Sequence, residues 1–345
     1  MAESLPTPSV LTEEQKAGIM LVTGDANPAL AKRVAGLMGI ELTGVMLDDF
    51  PNSEPEVEFA ENVRNKTVFV FQPQVAYAKD GKEYSAADSF AQLGLMIDAL
   101  LESHAKEVIP VSTVLFGARQ DRQARPRQPI SIRWALQTLR ASGVEDLLTL
   151  DPHTVQSLTA FGKPVDVITA QPTLRGFMTE QITGDKAEYA VVSSDDGHYE
   201  IAKLHADALG IDLIPFGKSR ISGSKVERPA MVIPELEGKT CFVSDDIIGT
   251  GSTLISGAEI LHASGVKRIV ASAVHGEFSN GAAERLKDSP VDVTAVTDSI
   301  DPRAAKEIMG EALQVVSADQ IIADSIIRKI TGESVSDLVD GENYI

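Results

Sequence analysis

The stretch from Cys241 to Leu254 constrains this chain more than any other. It opens on an apolar run, Cys241-Phe-Val243, that reads as the end of a buried strand. Two adjacent carboxylates follow, Asp245 and Asp246, and Ile247-Ile248 leads into Gly249-Thr-Gly-Ser-Thr253. Apolar residues then recur at helical spacing, at Leu254, Ile255, Ala258 and Leu261. Strand, small polar loop and helix form a unit in which backbone N–H groups and the positive end of a helix dipole converge on an anion. The hydroxyls of Thr250, Ser252 and Thr253 add donors, so Thr250, Gly251, Ser252 and Thr253 are candidates for holding a phosphate. The carboxylates would repel that phosphate and suit sugar hydroxyls or a metal ion instead. A plain tight turn with an N-cap gives the same local pattern. A dinucleotide fingerprint would need glycine where Leu254 stands, and a Walker loop would need lysine where Ser252 stands.

The rest of the chain alternates strands and helices, with no sequence repeat. Ile19-Met-Leu-Val-Thr reads as a strand, followed by a helix with Asn27 as N-cap and Pro28 at its first position. Val45 to Leu47 and Pro55 to Phe59 are strand candidates around Phe50-Pro-Asn-Ser-Glu54, and Thr67 to Gln72 is a buried strand. Gln74 to Ser85 reads as a polar loop insertion. Helix Phe90 to Leu101, strand Val108 to Val111, helix Ile132 to Ser142 and strand Leu147 to Leu150 follow. After about Val165 the alternation restarts, with strands expected at Tyr189 to Val192, Leu213 to Phe216, Arg268 to Ala273 and Val291 to Val296. A helix from Ala318 to Ile330 ends the pattern. This predicts an α/β protein with parallel sheets flanked by helices. The expected boundaries are 1–18 for an N-terminal extension, 19–165 for a first domain and 166–335 for a second, with the last helix free to pack on the first.

Composition narrows the functions. With 345 residues and 43% hydrophobic content, the chain can build two ordinary domains. A net charge of −19 argues against nucleic acid as a partner, because phosphate contacts need a basic surface. Cys241 is the one cysteine, which excludes an intrachain disulfide and fits a reducing compartment. There is no run of about 18 apolar residues, so no membrane span is expected. Residues 1–18 lack the apolar core of a signal peptide, and a cytoplasmic location is expected.

Against this acidic background, Arg119-Gln-Asp-Arg-Gln-Ala-Arg125-Pro-Arg127 stands out. All its basic positions are arginine, which suits bidentate phosphate contacts and stacking on a base. A solvated loop would also look like this. Asp151-Pro-His153 and Ser193-Ser-Asp195-Asp196-Gly197 follow strands, where ligands gather in open α/β sheets. Lys218 and Arg220 precede the polar segment Ile221-Ser-Gly-Ser-Lys225, which reads either as a surface loop or as a flap carrying cations to a transferring phosphoryl group.

Together these segments resemble the ribose-phosphate diphosphokinase (phosphoribosyl pyrophosphate synthetase) family, over Ile19 to about Val335. The segment Asp245 to Thr253 resembles the ribose-5-phosphate loop of the phosphoribosyltransferase fold. Gly24-x-Ala26-x-Pro28, Phe50 to Glu54, Ala118-Arg-Gln-Asp-Arg122, Asp151-x-His153, Ser193-x-Asp195 and Lys218-x-Arg220 are similar to further segments of that family. The resemblance implies two phosphoribosyltransferase-like domains, each a mostly parallel sheet flanked by helices. It implies ATP-dependent pyrophosphoryl transfer to the C1 hydroxyl of ribose 5-phosphate, with Mg2+ as cofactor and a homo-oligomer, dimer or hexamer, as the assembly. Lys218 and Arg220 would be catalytic. Phe50, Asn52, Glu54, Arg119, Gln120, Asp121 and Arg122 would bind ATP. Asp195, Asp245, Asp246, Thr250, Gly251, Ser252 and Thr253 would bind ribose 5-phosphate, and His153 and Asp195 would hold the metal.

The chain departs from the family pattern at several points. Gly249 stands where that family usually has Asp, Ser219 replaces a flap Arg, and Asn52-Ser53 replaces an Asp-Gly pair. His198 stands where a second glycine is expected after Gly197, and Ile201 replaces a nearby Arg. These changes gather on the acceptor side and leave open another ribosyl phosphate as acceptor. The sequence is also compatible with a phosphoribosyltransferase and with a non-catalytic regulatory paralogue.

Overall fold

The computed structural model describes residues 10–193, 198–215, 232–339 and 342. The chain divides into two compact units, one running to Ala170 and including Ser299–Asp301 and the chain from Ala318, the other made of Gln171–Asp298 and Pro302–Ser317.

The first unit begins with a short helix α1 (Glu13–Gly18), inside the stretch read as an extension. A reciprocal capping box between Thr12 and Gln15 explains why so short a helix forms. Next come β1 (Ile19–Thr23) and α2 (Pro28–Met38), the latter capped by the Asn27 side chain. The hairpin strands β2 (Val45–Asp49) and β3 (Pro55–Phe59) precede β4 (Thr67–Phe71). A second hairpin, β5 (Tyr77–Lys79) and β6 (Lys82–Tyr84), leads to α3 (Ala86–Glu102), β7 (Glu107–Ser112), α4 (Ser131–Ala141), β8 (Leu147–Leu150) and β9 (Val165–Ile168). The strands β1, β4, β7, β8 and β9 form one sheet in the order β1-β4-β7-β8-β9, parallel throughout. Its strands are apolar on both faces because helices cover both, and Val22, Val70, Leu93, Ile97, Leu136 and Phe161 meet in its core.

The second unit holds α5 (Gln171–Gln181), β10 (Tyr189–Ser193), α6 (Tyr199–Leu209), β11 (Asp212–Pro215), β12 (Thr240–Ile248), α7 (Ser252–Ala263), β13 (Arg268–Gly276), α8 (Ala282–Lys287), β14 (Val293–Thr297), α9 (Arg303–Met309) and β15 (Leu313–Val316). Its six strands are all parallel, in the order β11-β10-β12-β13-β14-β15. Phe242, near the start of β12, is fully buried and stacks on Tyr189 of β10 at 6.2 Å between ring centroids. Truncating such a ring to alanine typically costs about 3–5 kcal/mol. The last helix, α10 (Asp319–Thr331), belongs to the first unit. There Lys329 bonds both Asp146, at 2.7 Å, and Asp166 of β9. Burial works against the Lys329 charge, but these two carboxylates outweigh it and hold the ammonium above its usual range.

Two readings of the sequence change. The segment Gln74 to Ser85, expected to be a loop, carries the β5–β6 hairpin. Asp80 and Gly81 form its two-residue turn with φ of 51° and 78°, the left-handed pair that such a turn requires. Strand β12 does not end before the acidic pair but runs through it to Ile248. The pairing with β13 carries it on, since Asp245 lies opposite Ala273 and Ile248 opposite Gly276. The short strands β9 and β15 also escaped the sequence pattern.

Candidate active site

In the second unit the acidic pair rides on the central strand β12, near its carboxyl end, with β10 and β13 on either side. Each carboxylate is oriented by the next backbone amide. Asp246 N–H donates to Asp245 Oδ1 at 2.9 Å, and Ile247 N–H donates to Asp246 Oδ1 at 2.7 Å. Burial, then the Asp246 side chain, pushes the Asp245 carboxyl up to about 7, while His198 acts in the opposite direction. A half-buried pair of this kind resists carrying two negative charges and gains from any cation or hydroxyl donor brought against it. His198 stands against this pair. Its Nε2 lies 3.2 Å from Asp245 Oδ1 and 3.4 Å from Asp246 Oδ1.

Past β12 the chain turns into α7 through Gly251, which sits in the left-handed region at φ 71° and serves as the N-cap without a side-chain bond. The first amides of α7 are therefore left for another acceptor, in keeping with an anion site. Thr250, Ser252 and Thr253 are exposed at this end, and Thr250 Oγ1 lies 3.1 Å from Ser252 Oγ. Arg285 braces the loop, donating to the carbonyls of Thr250 at 2.8 Å and Asn280 at 2.6 Å.

The nucleotide candidates lie in the first unit, on two elements. Phe50, Asn52 and Glu54 form the tip of the β2–β3 hairpin, closed by Phe50 N–H donating to the Glu54 carbonyl at 2.8 Å. Phe50 is 46% exposed. Ser53 holds a left-handed φ of 68°, a position where a glycine would be unstrained. Arg119, Gln120, Asp121 and Arg122 follow β7. The side chain of Gln120 bonds Ser131 at the start of α4. Asp121 Oδ2 accepts from Thr154 Oγ1 at 2.5 Å, so this carboxylate ties the arginine segment to the turn carrying His153. Arg119, Arg122 and His153 are exposed. Asp151 acts locally. Its carboxylate accepts from Thr169 Oγ1 at 2.6 Å and Ala170 N–H at 2.7 Å, pinning the ends of β8 and β9.

The structure thus brings Asp245, Asp246 and Thr250 to Thr253 onto one strand, loop and helix, and joins Asp121 to the His153 turn. It leaves Phe50, Asn52 and Glu54 on a separate hairpin. Asp195, Lys218 and Arg220 lie outside the described residues. Three residues not named in the sequence analysis as site candidates touch or adjoin these groups: His198 on the acidic pair, Arg285 on the Thr250 carbonyl, and Asp49, the last residue of β2 before Phe50. His198 alone left a signal, as an imidazole beside an acidic turn at a strand end.

Comparison with known proteins gives the family. A ribose-phosphate pyrophosphokinase of Burkholderia pseudomallei is 35% identical over 322 residues, covering 93% of this chain and 97% of that protein. The chain belongs to the ribose-phosphate pyrophosphokinase family. Residues 19–143 match the N-terminal domain of ribose phosphate pyrophosphokinase, and residues 212–340 match the phosphoribosyl synthetase-associated domain. A ribose-phosphate pyrophosphokinase of Aquifex aeolicus is 32% identical, covering 93% of this chain and 99% of that protein. Among solved structures, the phosphoribosylpyrophosphate synthetase of Mycobacterium smegmatis superposes with a TM-score of 0.77 at 29% identity. It covers 91% of this chain and 99% of its own. Ribose-phosphate pyrophosphokinase family membership thus spans both units, and the mostly parallel α/β architecture agrees with it.

Proposed function

We propose that this chain transfers the β,γ-pyrophosphoryl group of ATP to the C1 hydroxyl of ribose 5-phosphate. The C1 oxygen attacks the β-phosphorus, the bond between that phosphorus and the α,β-bridging oxygen breaks, and AMP leaves with that oxygen. The hydroxyl proton passes to solvent, and the product is phosphoribosyl pyrophosphate. The observation that carries this reading is the β12–α7 segment. There a half-buried carboxylate pair stands directly before an uncapped helix N-terminus bearing three hydroxyl side chains. The loop suits the 5-phosphate, and Asp245 and Asp246 suit the vicinal ribose hydroxyls as acceptors.

On the nucleotide side, Arg119 and Arg122 contact the phosphates. Gln120, Asn52 and Glu54 supply polar contacts, Phe50 packs near adenine, and Asp121 holds the segment in place. Lys218 and Arg220 meet the charge developing on the transferring group. Asp195 offers the hard oxygen ligand that Mg2+ prefers, and His153 acts directly or through water. A bound ion would neutralise charge on the ATP phosphates. Little covalent chemistry is asked of the protein, so positioning and electrostatics set the rate. The assembly is a homo-oligomer, a dimer or hexamer, in which the exposed Phe50 turn serves a neighbouring subunit. A phosphoribosyltransferase reading leaves the match over residues 19–143 without a purpose.

Separate titrations of ATP and ribose 5-phosphate into the Asp245→Asn, Asp246→Asn double variant test the assignment. Sugar binding weakens while ATP binding stays nearly unchanged. Loss of ATP binding with sugar binding intact would show that the two halves have been exchanged.

A further inference from the structure

The three side chains His198, Asp245 and Asp246 each present one ligand atom, and these atoms lie within 4.8 Å of one another. The two imidazole–carboxylate distances, 3.2 and 3.4 Å, are nearly equal. Both exceed the roughly 2.7–2.9 Å of a good charge-assisted N–H···O bond. They match instead the spacing of neighbouring ligands around one ion. With metal–ligand bonds of about 2.0–2.2 Å, cis ligand atoms stand roughly 3–3.5 Å apart. The three groups reach this point from different elements, His198 at the start of α6 and the carboxylates on β12. The carboxylates are themselves oriented by backbone amides, so the donor set is held in place before any ion arrives.

We propose that His198, Asp245 and Asp246 form a site for a borderline divalent cation of the Co2+ or Zn2+ class, which Mn2+ can also occupy as a probe, lying on the sugar side of the reaction centre. Two carboxylates and a neutral imidazole balance a dication. Three protein ligands leave positions open for water or for vicinal sugar hydroxyls. Imidazole sets the preference, because it suits Zn2+ and its neighbours, whereas Mg2+ favours oxygen ligands and dehydrates reluctantly. Its place beside the sugar rests on the functional reading above.

Mn2+ binding, followed by electron paramagnetic resonance without nucleotide or sugar, tests the site. The natural protein binds Mn2+, Zn2+ displaces it at far lower concentration than Mg2+, and His153→Ala retains the site. The variant His198→Gly weakens it by roughly tenfold or more. Should that variant fail to fold, paramagnetic broadening of the His198 imidazole signals by Mn2+ in the natural protein gives the same answer. Equal Mn2+ binding by the natural protein and His198→Gly overturns the proposal, as do unbroadened His198 signals or equal displacement by Mg2+ and Zn2+. Product formation from Mg·ATP and ribose 5-phosphate is read separately. A protein that makes phosphoribosyl pyrophosphate but binds Mn2+ independently of His198 loses this site and keeps its function. One that binds Mn2+ through His198 but makes no such product keeps the site and loses the functional reading.

Discussion

Tyr84 donates its hydroxyl to Asp49 Oδ2 at 2.5 Å, and Asp49 is the last residue of β2 before the Phe50 turn. Lys82 donates to the same oxygen at 2.6 Å, and these two bonds, that of Lys82 first, hold the Asp49 carboxyl below its usual range. Tyr77 stacks on Tyr84 with 4.8 Å between centroids. Lys79 bonds the Leu47 carbonyl at 2.8 Å and Asp25 at 3.0 Å. The β5–β6 hairpin therefore grips β2 just below the turn assigned to the nucleotide.

Tyr84→Phe and Lys82→Met are expected to raise the KM for ATP by about three- to tenfold while kcat stays within about twofold, since they loosen a binding element and touch no reacting atom. The KM for ribose 5-phosphate stays put. Steady-state kinetics with each substrate varied checks this, and an unchanged KM for ATP in both variants would remove the hairpin from nucleotide binding.

Gly251→Ala is expected to weaken ribose 5-phosphate and spare ATP. A Cβ there would meet Leu286 at 3.5 Å, an ordinary contact, so space is not the obstacle. The obstacle is φ of 71°, which costs an L-residue about 1–2 kcal/mol and invites the loop to rearrange around the phosphate. Isothermal titration with each ligand separates the two effects, and equal sugar affinity would show that the loop tolerates the change.

Lys218→Ala and Arg220→Ala are expected to lower kcat by roughly 10²-fold or more with little change in ATP affinity, because a charge contact made as the site closes acts on the transition state. Both residues lie outside the described part of the chain, and this expectation rests on their place in the sequence. Near-normal turnover in both variants would contradict it.

His205 is fully buried, with Nε2 3.0 Å from Gln171 Oε1, and burial pushes its imidazole down to about 3 from 6.5. The folded chain keeps it neutral while the unfolded chain takes up a proton below pH 6.5. Its contribution is therefore whole above pH 6.5 and declines as pH falls toward 3, by on the order of a few kcal/mol. Urea unfolding at several pH values should show a shallower acid decline for His205→Gln than for the natural protein, whatever the offset between them. Parallel curves would mean that His205 titrates alike in both states.

What was legible in the sequence was local. The N-cap at Asn27, the buried strands at Ile19 and Thr67, and the turn from Gly249 into α7 each write their structure within a few residues. The Asp80-Gly81 turn was equally local, but the polar flanks Lys79, Lys82 and Glu83 hid the alternation that would have marked a hairpin. Strands β9 and β15 are short and gain their pairing only from β8 and β14. The relationships that shape the site cross the chain: His198 to Asp245, Asp121 to Thr154, Arg285 to Thr250. No periodicity records which distant side chain will arrive at a carboxylate, so these were found only in three dimensions.

The chain's assignment as a pyrophosphokinase is tested most directly by its products. Incubated with Mg·ATP and ribose 5-phosphate and followed by phosphorus NMR, it should release AMP and phosphoribosyl pyrophosphate in equal amounts, with no ADP. ADP in place of AMP would mean transfer of a single phosphoryl group, and unchanged substrates would mean that ribose 5-phosphate is not the acceptor. Either result would contradict the pyrophosphoryl transfer assigned to the β12–α7 site.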